Sequence, residues 1–126
     1  MKLLLDTCTL IWLMTGEQPI SARARAALAT GEAYVSAVSA WEIAVKFAKG
    51  QLRLVEPAER LVPAARAHFG FAALPIDEES ALHVAKLPHL HGDPFDRMLV
   101  SQAIVHGLTI VTPDAKITAY PARTIW

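Results

Sequence analysis

The stretch DPFDRMLVSQAIVHGLTIVTPD (93–114) is decisive for the fold, because it joins a well-marked helix directly to a buried strand. Asp93 followed by proline is typical of a helix start, and Gly107 is typical of a helix end. The run LTIVT that follows is apolar throughout and predicts a strand. The unit also places two carboxylates at its ends, with Asp96 in the first helical turn and Asp114 just after the strand.

The rest of the chain repeats this alternation of helix and strand. Apolar strands that alternate with helices are typical of a parallel sheet covered on both faces. We therefore predict an α/β fold, a single domain over residues 1–126 with a parallel central sheet of four to five strands. Pro63 predicts that one helix is broken or kinked. The predicted strands are KLLLD, AYVS, FAALPI, LTIVT and RTIW, and the predicted helices cover 7–16, 21–31, 38–49, 57–68, 77–87 and 93–107.

Composition limits the class of protein. Residues of the set AVILMFWYC make up 53% of the 126 residues, which favours a compact domain. Twelve basic residues balance twelve acidic ones, so contact with nucleic acid requires a local positive patch. Cys8 is the only cysteine, which excludes an intrachain disulfide, and we expect it to be a small buried apolar residue. No apolar run is long enough for a membrane span, and we expect a cytoplasmic protein without a membrane partner.

Four carboxylates lie where predicted strands end or predicted helices begin: Asp6, Glu42, Asp96 and Asp114. Such positions converge at the carboxyl edge of a parallel sheet, where ligands usually bind. Converged carboxylates repel one another and raise one another's pKa unless a cation neutralises them. A hard divalent ion with oxygen ligands is the natural cation for such a site. The arrangement predicts a metal-dependent hydrolase that acts on phosphodiesters.

Most of these acids also have a structural interpretation. Ser39 and Glu42 match a capping box at a helix start. Glu42 can also pair with Lys46 one turn later, which is worth roughly 0.2–0.5 kcal/mol. Asp114 can hold a turn. Asp6 is the exception, because it follows three leucines at a point where we expect no cap or turn.

Four segments resemble the PIN domain, and most closely the VapC-type ribonuclease toxins of prokaryotic toxin–antitoxin pairs. They are LLLDTCTLIWL, VSAVSAWEIAVKFAKGQL, HGDPFDRMLVSQA and LTIVTPDAKITAYP, which together extend over nearly the whole chain. The resemblance implies an endoribonuclease that hydrolyses single-stranded or looped RNA with a metal-activated water. It implies Mg²⁺ or Mn²⁺ bound by Asp6, Glu42, Asp96 and Asp114. It also implies a cognate antitoxin partner and a homodimer.

Three further residues lie beside these acids. Asp93 is either an assisting acid or only a helix cap, and the Asp-Pro opening favours the cap. Thr112 and Ser36 end predicted strands, where either hydroxyl can orient a carboxylate or a water.

Four basic residues are candidates for binding the RNA backbone: Lys46, Lys49, Arg53 and Arg97. A solvated helix face is the alternative for the two lysines and Arg53. We expect Trp41 to pack in the core, and Leu52 with Leu54 to face a groove for an antitoxin segment.

Other α/β classes lack their defining residues. A haloacid-dehalogenase phosphatase requires a second aspartate at position 8, which is a cysteine, and a dinucleotide-binding domain requires a glycine-rich turn after the first strand. One alternative remains, a catalytically silent PIN-like module that binds RNA or protein. The presence of all four acids argues against that alternative.

Overall fold

Five parallel strands form one sheet in the order β3-β2-β1-β4-β5. The computed structural model describes all residues from Met1 to Trp126. The predicted α/β class and the parallel sheet are confirmed. The strands are β1 Lys2–Leu5, β2 Glu32–Ser36, β3 Ala72–Leu74, β4 Thr109–Val111 and β5 Thr124–Ile125. The helices are α1 Thr7–Thr15, α2 Ala22–Thr30, α3 Ala37–Ala48, α4 Ala58–Phe69, α5 Glu78–His83, α6 Pro94–His106 and α7 Ala115–Thr118, and a 3-10 turn Val84–Lys86 follows α5.

Strand β1 supplies side chains to both faces of the sheet. Leu3 and Leu5 point to one face, where they join a core cluster that includes Val62 of α4. Leu4 points to the opposite face and joins a second cluster that includes Leu99 of α6. Successive side chains of a strand alternate in this way, so an uninterrupted apolar run serves two cores at once. Helices therefore cover both faces, as the sequence predicted.

The chain reverses its winding direction at β1. From β1 it passes to β2 on one side, and it returns later to place β4 on the other side. The carboxyl ends of β1 and β4 thus border the topological switch point, where open α/β sheets bind their ligands. Asp6 follows β1 and Thr112 follows β4, and the backbone N–H of Asp6 donates to the carbonyl of Val111 at 3.3 Å.

Helix α4 differs from the prediction, because it continues through Pro63. The predicted break is wrong, and the alternative of a kink stays a prediction. Pro63 lies on the exposed side, whereas Val62 and Ala65 are buried. Burial of these side chains outweighs the backbone hydrogen bond that proline cannot donate.

Two leucines that are expected to face a groove contact the core. Leu52 and Leu54 are half-buried and pack against the first core cluster. An apolar groove lies between α1 and α4, where Leu13, Met14 and Phe69 line a cavity of about 350 Å³. None of the helices has the length and apolar character that crossing a lipid bilayer requires.

Candidate active site

Asp6 is almost fully buried and its carboxylate has three donors. Its Oδ1 accepts from the backbone N–H of Thr7 at 2.7 Å. Its Oδ2 accepts from the Thr112 hydroxyl at 2.7 Å and from the Cys8 thiol at 3.0 Å. The structure therefore places the Thr112 hydroxyl where it orients a carboxylate. Asp6 is also the N-terminal cap of α1, so the expectation that no cap lies there is wrong.

The sequence did not indicate that Cys8 touches this site. Burial, followed by the nearby charge of Asp6, raises the pKa of the thiol far above its usual range. The thiol therefore stays neutral and donates a hydrogen bond to Asp6 Oδ2. Cys8 lies two residues after the helix cap Asp6, and this spacing places its side chain beside the cap. The sequence prediction treated the cysteine only as an apolar residue and so missed the contact.

Asp93 and Asp96 share the start of α6. Asp93 Oδ1 accepts from the backbone N–H groups of Phe95 at 2.9 Å and Asp96 at 3.1 Å, so Asp93 is the helix cap that its sequence context favoured. Asp96 is only 7% exposed. Desolvation raises the pKa of Asp96 to about 7, and the charges of Asp93, Asp6, Glu42 and Asp114 add to the rise. The acids predicted from distant parts of the chain thus converge.

Glu42 lies in the second turn of α3 and not in the first. The helix is capped by Ser36, whose hydroxyl accepts from the backbone N–H of Val38 at 3.0 Å. The predicted capping box of Ser39 and Glu42 is therefore wrong, because Ser36 ends β2 and starts the helix three residues earlier. Glu42 is 5% exposed, with Oε2 paired to Lys46. Its Oε1 is buried and has no hydrogen-bond partner.

Of the two roles considered for Ser36, the structure contradicts the orienting of a carboxylate. Its side chain hydrogen-bonds to Gln102 of α6 and caps α3, and neither contact involves a carboxylate. Ser39 also forms a hydrogen bond between elements, because its hydroxyl lies 2.9 Å from that of Thr7. This hydrogen bond joins the start of α1 to α3, the two helices that hold Asp6 and Glu42.

Asp114 follows β4 and caps the short helix α7, accepting from the backbone N–H of Lys116 at 2.9 Å. The backbone N–H of Asp114 donates to the Thr112 hydroxyl at 3.0 Å. The same hydroxyl donates to Asp6, so Thr112 connects two of the four acids. Helix α7 itself was not predicted, because one turn is too short to show a periodic pattern.

Arg97 is not available to RNA, and its predicted role is corrected. The residue is 7% exposed. Its guanidinium donates to the carbonyl of Pro88 at 2.9 Å, to the Tyr120 hydroxyl at 3.1 Å and to the carbonyl of Val84 at 3.2 Å. These bonds hold the segment before α6 against the helix. The sequence neighbour of Asp96 therefore points away from solvent.

The other basic candidates remain accessible. Lys49 and Arg53 are exposed and take part in no ion pair. Lys46 is partly exposed, and its hydrogen bond to Glu42 raises its pKa. Trp41 was expected in the core, but it is 53% exposed and packs edge-on against Phe95 with ring centroids 4.7 Å apart.

The donor set fits a hard divalent ion better than it fits a purely structural role. All four candidate ligands carry oxygen donors, their charges act on one another, and the unpartnered Glu42 Oε1 is the one buried side-chain nitrogen or oxygen atom without a hydrogen bond. In the present side-chain arrangement no three His, Cys, Asp or Glu residues are already placed as ligands of one ion. Coordination of one ion by these acids would therefore require side-chain rotation, most plainly of Glu42, which is turned to Lys46.

The sequence profile of the PIN domain matches residues 3–122. The chain belongs to the PIN-domain family. The predicted resemblance is thereby confirmed for nearly the whole chain. No curated protein sequence shows a significant match.

Several solved structures share the fold of this PIN domain. VapBC2 from Rickettsia felis, bound to a DNA fragment from its promoter, superposes with a TM-score of 0.73 at 12% identity, covering 99% of this chain and 98% of that chain. DNA-bound VapBC from Salmonella typhimurium gives 0.70 at 23% identity, covering 99% and 97%. A toxin–antitoxin complex from Klebsiella pneumoniae gives 0.65 at 21% identity, covering 98% and 95%. At these identities the likeness is one of fold.

Thr112 provides a test of how this PIN domain holds Asp6. Replacing Thr112 with valine keeps the side-chain shape but removes the donor to Asp6 and the acceptor for the Asp114 backbone N–H. We expect Thr112→Val to weaken Mn²⁺ binding by about 10- to 100-fold, as loss of a ligand-orienting partner usually does. Isothermal titration calorimetry measures this directly. Thr112→Ser retains the hydroxyl and is expected to bind Mn²⁺ nearly as wild type does; equal weakening in both variants would contradict the orienting role.

Proposed function

We propose that this PIN domain is a metal-dependent endoribonuclease and the toxin of a toxin–antitoxin pair. The observation that carries the proposal is the environment of Asp96, whose pKa is raised to about 7 by burial and by four neighbouring acids. A fold does not keep several mutually repelling carboxylates in a buried place for stability, because the repulsion lowers stability. Such clusters are typical of sites that bind a cation or transfer a proton.

Asp6, Glu42, Asp96 and Asp114 would hold Mg²⁺ or Mn²⁺. The ion, when bound, supplies a water of lowered pKa and shields the charge that develops on the phosphate. The protein fixes the Asp6 carboxylate in advance, because Thr112 and Cys8 both donate to it. Asp93 holds the first turn of α6 so that Asp96 faces the other acids.

RNA is the proposed substrate, cleaved in single-stranded or looped regions to leave a 5′-phosphate. Positive charge follows Glu42 along α3 and its exit loop, where Lys46, Lys49 and Arg53 lie. A local group of this kind can bind phosphates although the chain has zero net charge. We exclude Arg97 from this RNA-binding group, because its guanidinium donates to acceptors inside the protein.

An antitoxin is the proposed protein partner, and a homodimer is the proposed state of the toxin. The support for the antitoxin is twofold. The similar solved structures include VapBC complexes and a toxin–antitoxin complex. This chain also has an apolar groove between α1 and α4, lined by Leu13, Met14, Leu61 and Phe69, which suits the apolar side of a partner helix.

Metal removal tests the catalytic proposal. We expect the purified chain to cleave structured RNA such as tRNA with Mn²⁺ or Mg²⁺, to stop when EDTA is added, and to resume when Mn²⁺ is restored in excess. Asp6→Asn is the matched variant, because it removes one ligand charge and keeps the size of the side chain. Equal cleavage by wild type and Asp6→Asn would indicate either a contaminating nuclease or a wrong assignment of Asp6 to the site. Metal-independent RNA binding without cleavage would favour the alternative, a catalytically silent binding module.

A further inference from the structure

Lys46 is the one basic side chain that is ion-paired with an acid of the candidate active site. The protein has two ion pairs, and the other joins His106 to Asp77 away from the four acids. Lys46 lies one turn after Glu42 on α3 and bonds to Glu42 Oε2. The charges of Asp93 and Asp96 also act on its ammonium group. The positively charged ammonium group of Lys46 therefore lies at the edge of the carboxylate cluster.

The two oxygens of Glu42 are in different situations. Oε2 accepts from Lys46, whereas Oε1 is buried without any hydrogen-bond partner. An unpartnered buried carboxylate oxygen is costly, so a site that retains one has a use for it. Glu42 thus offers one free donor to a cation, while its other donor is held by a side chain that can move away.

Lys46 can leave Glu42 when another cation takes its place, because its ammonium group reaches solvent. Its side chain is 42% exposed, while that of Glu42 is 7% exposed. Departure of Lys46 alone would leave the buried Glu42 carboxylate uncompensated, whereas exchange for a bound cation would not. Lysine is also a point charge on a flexible stem, so its ammonium can reach a new partner without moving the helix.

We propose that Lys46 is the counter-ion of Glu42 in the metal-free protein, and that a divalent ion displaces it. The proposal rests on the function proposed above. The ammonium released from Glu42 then remains beside the acids, where it can donate to a phosphate of the RNA. Lys46 is thus a positioning residue with two exclusive partners, and binding of the ion decides which partner it contacts.

Mn²⁺ binding without RNA tests the competition. We expect Lys46→Met, which keeps the aliphatic stem, to bind Mn²⁺ about fivefold more tightly than wild type, the factor that a partly exposed ion pair represents. Lys46→Arg retains the charge and is expected to bind as wild type does. Lys49→Met is the matched control, because it removes one positive charge at the C-terminal end of α3 but touches no acid, and its Mn²⁺ affinity is expected to stay unchanged. Thermal melting verifies that each variant is folded.

RNA affinity provides a second readout. Replacing a lysine that has only a structural role would not change it. With EDTA present, Lys46 is paired to Glu42, so we expect Lys46→Met to bind RNA as tightly as wild type. With Mn²⁺ present, the same variant is expected to have a higher KM than wild type. Lys49→Met is expected to bind RNA more weakly under both conditions.

Three results would overturn the inference. Unchanged or weaker Mn²⁺ binding by Lys46→Met would show that Lys46 does not compete for Glu42. Tighter binding by Lys49→Met as well would show a general charge effect. If wild type binds no Mn²⁺, the proposed metal site itself fails and the inference falls with it, whereas Mn²⁺ binding that Lys46→Met leaves unchanged refutes only the role of Lys46.

Discussion

We expect Asp96→Asn to lose Mn²⁺ binding and at least ~100-fold of RNA cleavage, since the electrostatic work of a bound ion is worth several kcal/mol. The same variant is expected to melt at a higher temperature than wild type at pH 8 in the absence of metal. Asparagine keeps the size of the side chain but removes a buried charge that Asp93, Asp6, Glu42 and Asp114 repel. Activity and stability should therefore change in opposite directions.

The difference in melting temperature between Asp96→Asn and wild type changes with pH in a definite direction. Desolvation and neighbouring acids raise the pKa of Asp96 from 3.8 to about 7 in the folded protein. The folded state therefore binds the proton more tightly than the unfolded state does, and the stabilisation is fully present below about pH 4. It is lost as the pH rises from about 4 through about 7. The melting temperature of wild type should accordingly fall relative to that of Asp96→Asn over this range.

Metal binding is expected to reverse that order. Mn²⁺ binds the ionised folded site of wild type and stabilises it, whereas Asp96→Asn gains nothing from the ion. Differential scanning fluorimetry at pH 5 and pH 8, with and without Mn²⁺, measures both effects. Glu79→Gln, an exposed charge removal on α5, is the control and should show neither. An Asp96→Asn variant that is less stable than wild type at pH 8 without metal would contradict the repulsion argument.

The second large effect is expected at Arg97, and it concerns stability. Arg97→Met removes the guanidinium donor to the buried Tyr120 hydroxyl and to the partly buried carbonyls of Pro88 and Val84, each of which keeps one backbone N–H donor. We expect a loss of about 2–4 kcal/mol in the free energy of unfolding. For a domain of this size that lowers the melting temperature by ~10 °C. Chemical denaturation and thermal melting measure the two quantities.

Two further variants separate the loss of the Arg97 hydrogen bonds from the loss of a positive charge. Arg53→Met removes an exposed arginine and should leave the melting temperature nearly unchanged. Arg97→Lys keeps the charge but lacks the planar fork of donors, so it should recover only part of the lost stability. If Arg97→Met instead melted as wild type does and bound RNA more weakly, the sequence-based assignment of Arg97 to the RNA surface would be restored.

Local patterns were sufficient to predict most of the fold. Asp93 before proline and Gly107 after the last helical residue marked α6, and the structure has that helix at Pro94–His106. Apolar runs that alternate with helices indicated a parallel sheet covered on both faces, and the sheet has that form. These signals could be read from the sequence because capping, periodicity and strand burial depend on residues only a few positions apart.

Errors arose where the choice between equivalent local signals depended on distant parts of the chain. Ser36 and Ser39 both suit a helix cap, but Ser36 became the cap, and its hydroxyl also hydrogen-bonds to Gln102 of α6. Arg97 looked like a surface cation beside Asp96, yet Tyr120 and two carbonyls outside α6 surround its guanidinium. No local pattern distinguishes such alternatives, because burial is decided by which elements pack together.

The sequence by itself determined the α/β class, the order of the elements, the membership of the PIN-domain family and the acids worth considering. The tertiary structure alone decided that Thr112 donates to Asp6 across 106 residues of chain, that Cys8 donates to the same oxygen, and that Glu42 retains an unpartnered oxygen beside Lys46. The physical reason is that hydrogen-bond partners, desolvation and the repulsion between charges depend on distances in space. Those distances are set by the winding of the sheet around β1, which brings residues from both ends of the chain to one edge.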